Sequence, residues 1–191
     1  WLVGDDLPGF TAGAHLKFDC GDAGQRAYSL VSWEGREPSP EAYQIAVQRE
    51  DDGTGGSQFM HGLKVGDTIE ATEPKNDFPL SPGKALLIAG GIGITPMISM
   101  AAWAKASGRE YAFHYAARSA DIMAFGDALA KAHGDALTRH YDDVAMMDSY
   151  AAVKLAPWGD VDGKLRLIVN QCENASQANH IGTRFEATCR R

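Results

Sequence analysis

The run from Lys84 to Ala89, Lys-Ala-Leu-Leu-Ile-Ala, leads directly into Gly90-Gly91-Ile92-Gly93-Ile94-Thr95-Pro96, and this pairing constrains the fold more than any other feature. An apolar run without alternation needs cover on both faces, which is the condition of a strand inside a parallel sheet. Pro96 suits the first turn of a helix, and Met97, Met100, Ala101 and Ala104 carry that helix to Ser107-Gly108. Glu110 to Ala116 reads as the next strand, about Phe125 to His133 as an alanine-rich helix, and Leu165 to Val169 as one more strand. Strand, glycine turn, helix, strand, helix is the order of a parallel α/β unit.

Glycines at Gly90, Gly91 and Gly93 let backbone N–H groups approach an anion, and the following helix start favours a pyrophosphate. The spacing is Gly-Gly-x-Gly-x-Thr-Pro rather than Gly-x-Gly-x-x-Gly, and no acidic residue closes the next strand. That strand runs instead into Arg118-Ser119, side chains able to hold an adenosine ribose or its phosphate. Tight helix–sheet packing explains the glycines equally well by spacing alone.

Before about Leu80 the pattern is different. Ala14 to Cys20, Arg26 to Ser32, Tyr43 to Val47 and Thr68 to Thr72 read as short strands between Gly, Pro and Asp clusters, which suggests a small antiparallel barrel or sandwich. Pro74 to Gly83 holds three prolines and reads as a boundary. The expected organisation is therefore β plus α/β: a β-barrel over residues 1–80, a parallel α/β domain over 84–170, and an atypical polar tail over 171–191.

Within the first part, Arg26 and Tyr28 lie two residues apart on one strand face, where they offer a guanidinium fork for phosphate and a flat ring for a planar cofactor, although taken alone such a pair is more often a solvated strand edge. Gly53-Thr54-Gly55-Gly56-Ser57 suits phosphate, although a plain loop explains it as well.

Composition narrows the partners. The chain has 191 residues, 25 acidic against 18 basic, for a net charge of −7. That balance gives no reason to expect nucleic acid or an anionic membrane surface, and no apolar stretch reaches the roughly 18 residues of a membrane span. Cys20, Cys172 and Cys189 are widely spaced, which argues for a reducing, cytoplasmic setting and against structural zinc or an iron–sulfur cluster held by four cysteines of this chain.

The order of the pieces is distinctive. Arg-x-Tyr-Ser, then Gly-Gly-Ser, then Pro-Lys-Asn-Asp-Phe, then Gly-Gly-Ile-Gly-Ile-Thr-Pro resembles the ferredoxin–NADP reductase superfamily, and within it the phthalate dioxygenase reductase and vanillate O-demethylase reductase group. The resemblance covers roughly Leu7 to Leu137. It implies that Arg26 binds a flavin phosphate, Tyr28 stacks on the isoalloxazine, and Ser29 lies near the reactive flavin edge. Ala46 and Val47 would contact the flavin, and Gly55, Gly56 and Ser57 would complete its phosphate site. Gly90, Gly91, Gly93, Thr95 and Pro96 would receive the nicotinamide cofactor, Arg118 and Ser119 its adenosine end, and Phe78 would sit near the flavin–nicotinamide junction.

The cofactors implied are FMN, with FAD as the alternative, and NADH, with NADPH as the alternative. The activity implied is a flavin reductase passing single electrons to a ferredoxin domain or protein and an oxygenase component. The alternative is a non-catalytic or degenerate flavin-binding module. No side chain is needed as acid or base, so His15, His61 and His114 read as structural or exposed. The group's Cys-Gly-Pro after the last strand has no good match, since Cys172 follows Asn170-Gln171. No Cys-x4-Cys-x2-Cys is present. The Trp1 start and these departures suggest an incomplete or altered reductase whose first barrel strand is missing.

Overall fold

The computed structural model describes residues 1–35 and 41–141, with the backbone of 167–171. Cys172, Cys189 and the expected tail beyond Gln171 lie outside the described residues.

The second half holds a four-stranded parallel sheet in the order β7-β6-β5-β8. It comprises β5 (Ala85–Gly90), β6 (Tyr111–Ala117), β7 (Leu137–Tyr141) and β8 (Leu167–Gln171). All six residues of β5 are buried, as its continuous apolar run requires, with β6 and β8 hydrogen-bonded on either side. The described part of the last strand is Leu167–Gln171, which overlaps the expected Leu165–Val169; Leu165 and Arg166 lie outside the described residues. β7 has no sequence signal, because only two of its five side chains are even half-buried.

Helix α2 (Ile94–Ala106) follows the glycine turn, and ten of its thirteen residues are buried. A helix buried nearly all round must be covered on more than its sheet side. The extra cover comes from the first half of the chain. Ser99 Oγ donates to the Leu30 carbonyl at 2.9 Å and accepts from the Ser32 amide at 2.9 Å. Gly13, at φ +96°, lies so close to Phe78 and Met100 that an added Cβ would stand 2.0 Å from the Phe78 carbonyl oxygen. Ala12, Val31, Trp33, Phe78 and Leu80 accordingly join the core around β5, β6 and α2.

A second core gathers Phe10, Ala14, Leu16, Phe18, Cys20, Leu30 and Tyr43. Its strands are short: β1 (Leu2–Val3) pairs antiparallel with β4 (Ala42–Tyr43), and β2 (His15–Asp19) with β3 (Gln25–Ser29). The expected strand over Tyr43–Val47 is in a ladder only at Tyr43. That over Thr68–Thr72 is reduced to a bridge at Ala71 opposite Phe18. Helix α1 (Gly56–Gly62) begins where the sequence reads as a plain loop, and α3 (Gly126–His133) follows β6 close to its expected position.

Candidate functional site

On β3, Arg26 and Tyr28 share the half-buried face, opposite Phe18 and Leu16 of β2. The Tyr28 ring packs against Phe18 at 5.9 Å, and burial pushes its phenol above the ordinary value, so the ring is neutral at physiological pH.

The Arg26 guanidinium donates to the Gln25 carbonyl and to Thr54 Oγ1, each at 2.9 Å. It lies across the start of α1, where a Cβ on Gly56 would stand 2.5 Å from Arg26 Cγ and 3.0 Å from Nε. A guanidinium has five N–H donors, so these two bonds leave capacity for phosphate oxygens. Arg26, Thr54, Gly55 and Gly56 are thus one assembly.

Ser57 faces elsewhere. Its Oγ accepts from the Glu50 amide at 3.0 Å and donates to the Glu50 carbonyl at 3.3 Å. Gln58 Nε2 donates to the Asp51 carbonyl at 2.6 Å, and His61 Nε2 to the Val47 carbonyl at 2.8 Å. Through these bonds α1 fixes the segment that carries Ala46 and Val47.

That segment forms one wall of a cleft of about 560 Å³. Ala46, Val47 and Gln48 contribute from the first half, and Gly91, Ile92, Ala117, Arg118, Ile122, Ala124 and Phe125 from the second. Two walls separated widely in sequence therefore meet across one space. Gly91 is in the left-handed region at φ +51°, and a Cβ there would meet nothing within 4 Å, so its backbone is open.

Of the remaining candidates, Gly90 ends β5, while Gly93, Thr95 and Pro96 are buried beneath the turn. Thr95 Oγ1 donates to the Ile92 carbonyl at 3.2 Å, and Tyr115 OH to the Gly91 carbonyl at 3.2 Å; both bonds hold the turn's shape. Ser119 donates to the Asp121 carboxylate and holds its pKa below the ordinary value. Ser29 closes β3 opposite His15. Phe78 packs into the core between the halves and is not among the residues lining the cleft.

Sequence reasoning did not single out Gln48, Ile92, Ala117, Ile122, Ala124 or Phe125 as cleft residues. Phe125 carries a structural signal, because its backbone is left-handed at φ 61° and ψ 10°. For a bulky residue that conformation costs on the order of 1–3 kcal/mol and recurs at functional sites.

His15 joins the chain at Lys75 through a pair of backbone hydrogen bonds. His114 Nδ1 shares a hydrogen bond with His140 Nε2 at 2.9 Å, the rings stacked at 5.2 Å. Burial, together with the His140 charge, lowers the His114 pKa, and burial lowers that of His140. Neither ring lines the cleft.

A parallel sheet with an open glycine turn, facing a strand-rich half across a cleft, is the arrangement of the ferredoxin–NADP reductase fold. The crystal structure of phthalate dioxygenase reductase, described as a modular structure for electron transfer from pyridine nucleotides to [2Fe-2S], superposes with a TM-score of 0.65 at 36% identity, covering 75% of this chain and 45% of that one. The carnitine monooxygenase reductase subunit of Acinetobacter baumannii is 37% identical over 147 residues, which are 75% of this chain and 45% of the relative. The phthalate dioxygenase reductase of Burkholderia cepacia is 41% identical over 130 residues, 66% of this chain and 39% of the relative. No family model matches the chain. By these similarities the chain belongs to the ferredoxin–NADP reductase superfamily and, within it, to the phthalate dioxygenase reductase group. It spans less than half the length of the relatives named here.

Proposed function

We propose that this chain is the flavin- and nicotinamide-binding part of an electron-transfer reductase serving an oxygenase or demethylase system. The observation that carries the reading is the cleft that joins Ala46, Val47 and Gln48 to Gly91 and Arg118. In this reading residues 1–80 hold the flavin in a barrel and residues 84–170 hold the nicotinamide cofactor.

The residues fit a flavin nucleotide. Gly56 carries no side chain where a Cβ would displace Arg26, so the guanidinium rests over the turn at Thr54–Gly56 with donors to spare. Arg26, Gly55 and Gly56 would hold the phosphate, Tyr28 would support the ring, and Ala46 and Val47 would border it. Ser57 would contribute its backbone, as its hydroxyl is engaged with Glu50. FMN needs no adenylate cradle, and we favour it over FAD. When bound, a flavin supplies two-electron acceptance from a nicotinamide and one-electron delivery to an iron–sulfur centre.

The chain's own contribution is to bind and orient. Gly91 offers open backbone for a pyrophosphate, Thr95 and Tyr115 keep the turn in that shape, and Arg118 with Ser119 would receive the adenosine end. NADH is the favoured donor. The names of the oxygenase reductase relatives support an oxygenase partner, and the phthalate dioxygenase reductase structure supports a [2Fe-2S] acceptor.

Reconstitution with FMN and with FAD, followed by stopped-flow mixing with NADH and NADPH, tests the reading. We expect visible flavin absorbance that bleaches rapidly with NADH. Bound flavin that NADH leaves oxidised would favour a non-catalytic flavin-binding module. Absence of flavin binding would overturn both.

A further inference from the structure

Ser99 is 3% exposed on α2, and its hydroxyl is engaged in both senses with one stretch of the first half. Oγ donates to the Leu30 carbonyl and accepts from the Ser32 amide, each at 2.9 Å. That stretch continues β3, and its three successive amides go to three different elements. The Leu30 amide donates to the Ala14 carbonyl at 2.9 Å, the Val31 amide to the Gln44 carbonyl at 2.8 Å, and the Ser32 amide to Ser99. Ala14 immediately precedes β2, and Gln44 lies two residues before Ala46 of the cleft wall. Ser99 is thus bonded at the point where the continuation of β3 meets both neighbouring segments of the first half.

The other end of α2 is the glycine turn. Ser99 stands about 8 Å along the axis from Ile94, the first residue of the helix. The turn in front of Ile94 is held by Thr95 Oγ1 on the Ile92 carbonyl and by Tyr115 OH on the Gly91 carbonyl. One helix therefore carries the turn that faces the cleft and, less than two helical turns on, the hydroxyl that grips the continuation of β3.

The surrounding contacts are of another kind. Met97, Met100 and Ala101 share an apolar cluster with Ala12, Val31, Trp33 and Phe78. Apolar packing favours closeness without fixing direction, whereas a hydrogen bond weakens steeply as its length and angle depart from ideal. The two bonds of Ser99 therefore fix how far α2 is displaced along β3, which packing alone leaves free to slide.

We infer that Ser99 is a positioning residue for hydride transfer: by bridging Leu30 and Ser32 it sets the register of the nicotinamide-binding turn against the flavin-binding strand. The inference rests on the reading of the two halves as the flavin and nicotinamide walls. In that step a hydride, carrying two electrons, leaves nicotinamide C4 and bonds to flavin N5, so that NADH becomes NAD+ and the flavin is reduced. The reacting atoms must come within roughly 3–3.5 Å, and a displacement of about 1 Å from a remote change can cost on the order of 100-fold in rate. Leu30 directly follows Ser29, the residue expected near the reactive flavin edge, so a slip at Ser99 is passed to the place where the two rings meet.

Anaerobic stopped-flow reduction of the flavin-loaded chain, by NADH and by NADH deuterated at the transferred position, compares wild type, Ser99→Ala and Ser99→Thr. Phe10→Leu, a change within the first half's own core, is the control for lost stability, and all rates are taken well below each melting midpoint. In Ser99→Ala the limiting rate of flavin reduction should fall roughly 10- to 100-fold, while flavin content and apparent NADH affinity hold. The long-wavelength charge-transfer absorbance of the NADH complex, which depends on ring overlap, should weaken, and the deuterium isotope effect should persist. Ser99→Thr keeps the hydroxyl and should recover most of the rate, and Phe10→Leu should reduce its flavin as wild type does.

A Ser99→Ala chain with wild-type reduction rate and undiminished charge-transfer absorbance would overturn the inference and leave the two-wall reading intact. A loss equalled by Phe10→Leu would overturn it too, as an effect of stability alone. A wild-type chain whose bound flavin stays oxidised in NADH would overturn the reading on which the inference rests.

Discussion

Gly56 lies directly under Arg26: a Cβ at that position would stand 2.5 Å from Arg26 Cγ. The contact is between a backbone position on α1 and the stem of a side chain on β3, so the missing side chain is what lets the guanidinium reach Thr54 Oγ1 at 2.9 Å. In the proposed phosphate site, the position of the Arg26 guanidinium is thereby tied to a residue with no side chain.

Gly56→Ala should therefore weaken FMN binding by displacing the Arg26 side chain without deleting it. Charge-assisted hydrogen bonds contribute about 1.5–3 kcal/mol, so Arg26→Ala should cost roughly 10- to 100-fold in flavin affinity. The glycine variant should fall between wild type and Arg26→Ala. Flavin fluorescence titration reads both, and equal affinity of Gly56→Ala and wild type would refute the coupling.

Ser99→Ala should loosen the contact between the halves. Ser99 is 3% exposed and bonds the backbone at both Leu30 and Ser32, so its removal leaves a carbonyl and an amide without their partner. A buried group left unsatisfied costs about 1–3 kcal/mol. Urea unfolding should show a lower midpoint with an unchanged slope.

Gly13→Ala should be the more damaging change. Its left-handed backbone at φ +96° and the Phe78 carbonyl 2.0 Å from the added Cβ combine strain with a backbone clash that no rotamer can relieve. We expect a loss of more than about 2 kcal/mol, or insoluble protein. A near-wild-type melting temperature would show that the Gly13–Phe78 contact is dispensable.

Stability should fall on acidification below neutral pH. His114, His140 and His133 all have folded pKa values lowered from the ordinary 6.5, burial being the first cause in each. Between those lowered values and 6.5 the unfolded chain binds more protons than the folded one, so stability rises with pH across that window. Going down, the loss begins near pH 6.5 and is complete once pH has passed the folded pKa values. Urea midpoints at pH 8, 7, 6 and 5 should trace this, and His140→Gln should flatten the slope by removing one titrating ring and the charge facing His114.

Much of the second half was legible because its signals are local. A continuously apolar strand, a glycine turn and a proline in the first helical turn specify β5 and α2 within about twenty residues. β7 was not legible, since Leu137–Tyr141 is largely exposed and carries no apolar alternation. Helix α1 was missed for a related reason. Seven residues are too few to show a helical period or to be stable alone, and bonds from Ser57, Gln58 and His61 to the 47–51 segment hold it in place.

The sequence by itself determined the parallel α/β unit, the pairing of Arg26 with Tyr28 on one strand face, and the order of motifs that marks the superfamily. Residue spacing along a chain fixes which side chains share a face and which turns are permitted. Only the tertiary structure decided that Gln48 and Phe125 line one cleft, that Phe78 packs into the core between the halves, and that Ser57 faces Glu50. Those outcomes depend on how α2 packs against the first half through Ser99 and Gly13, contacts whose partners lie far apart in sequence and leave no periodic trace in it.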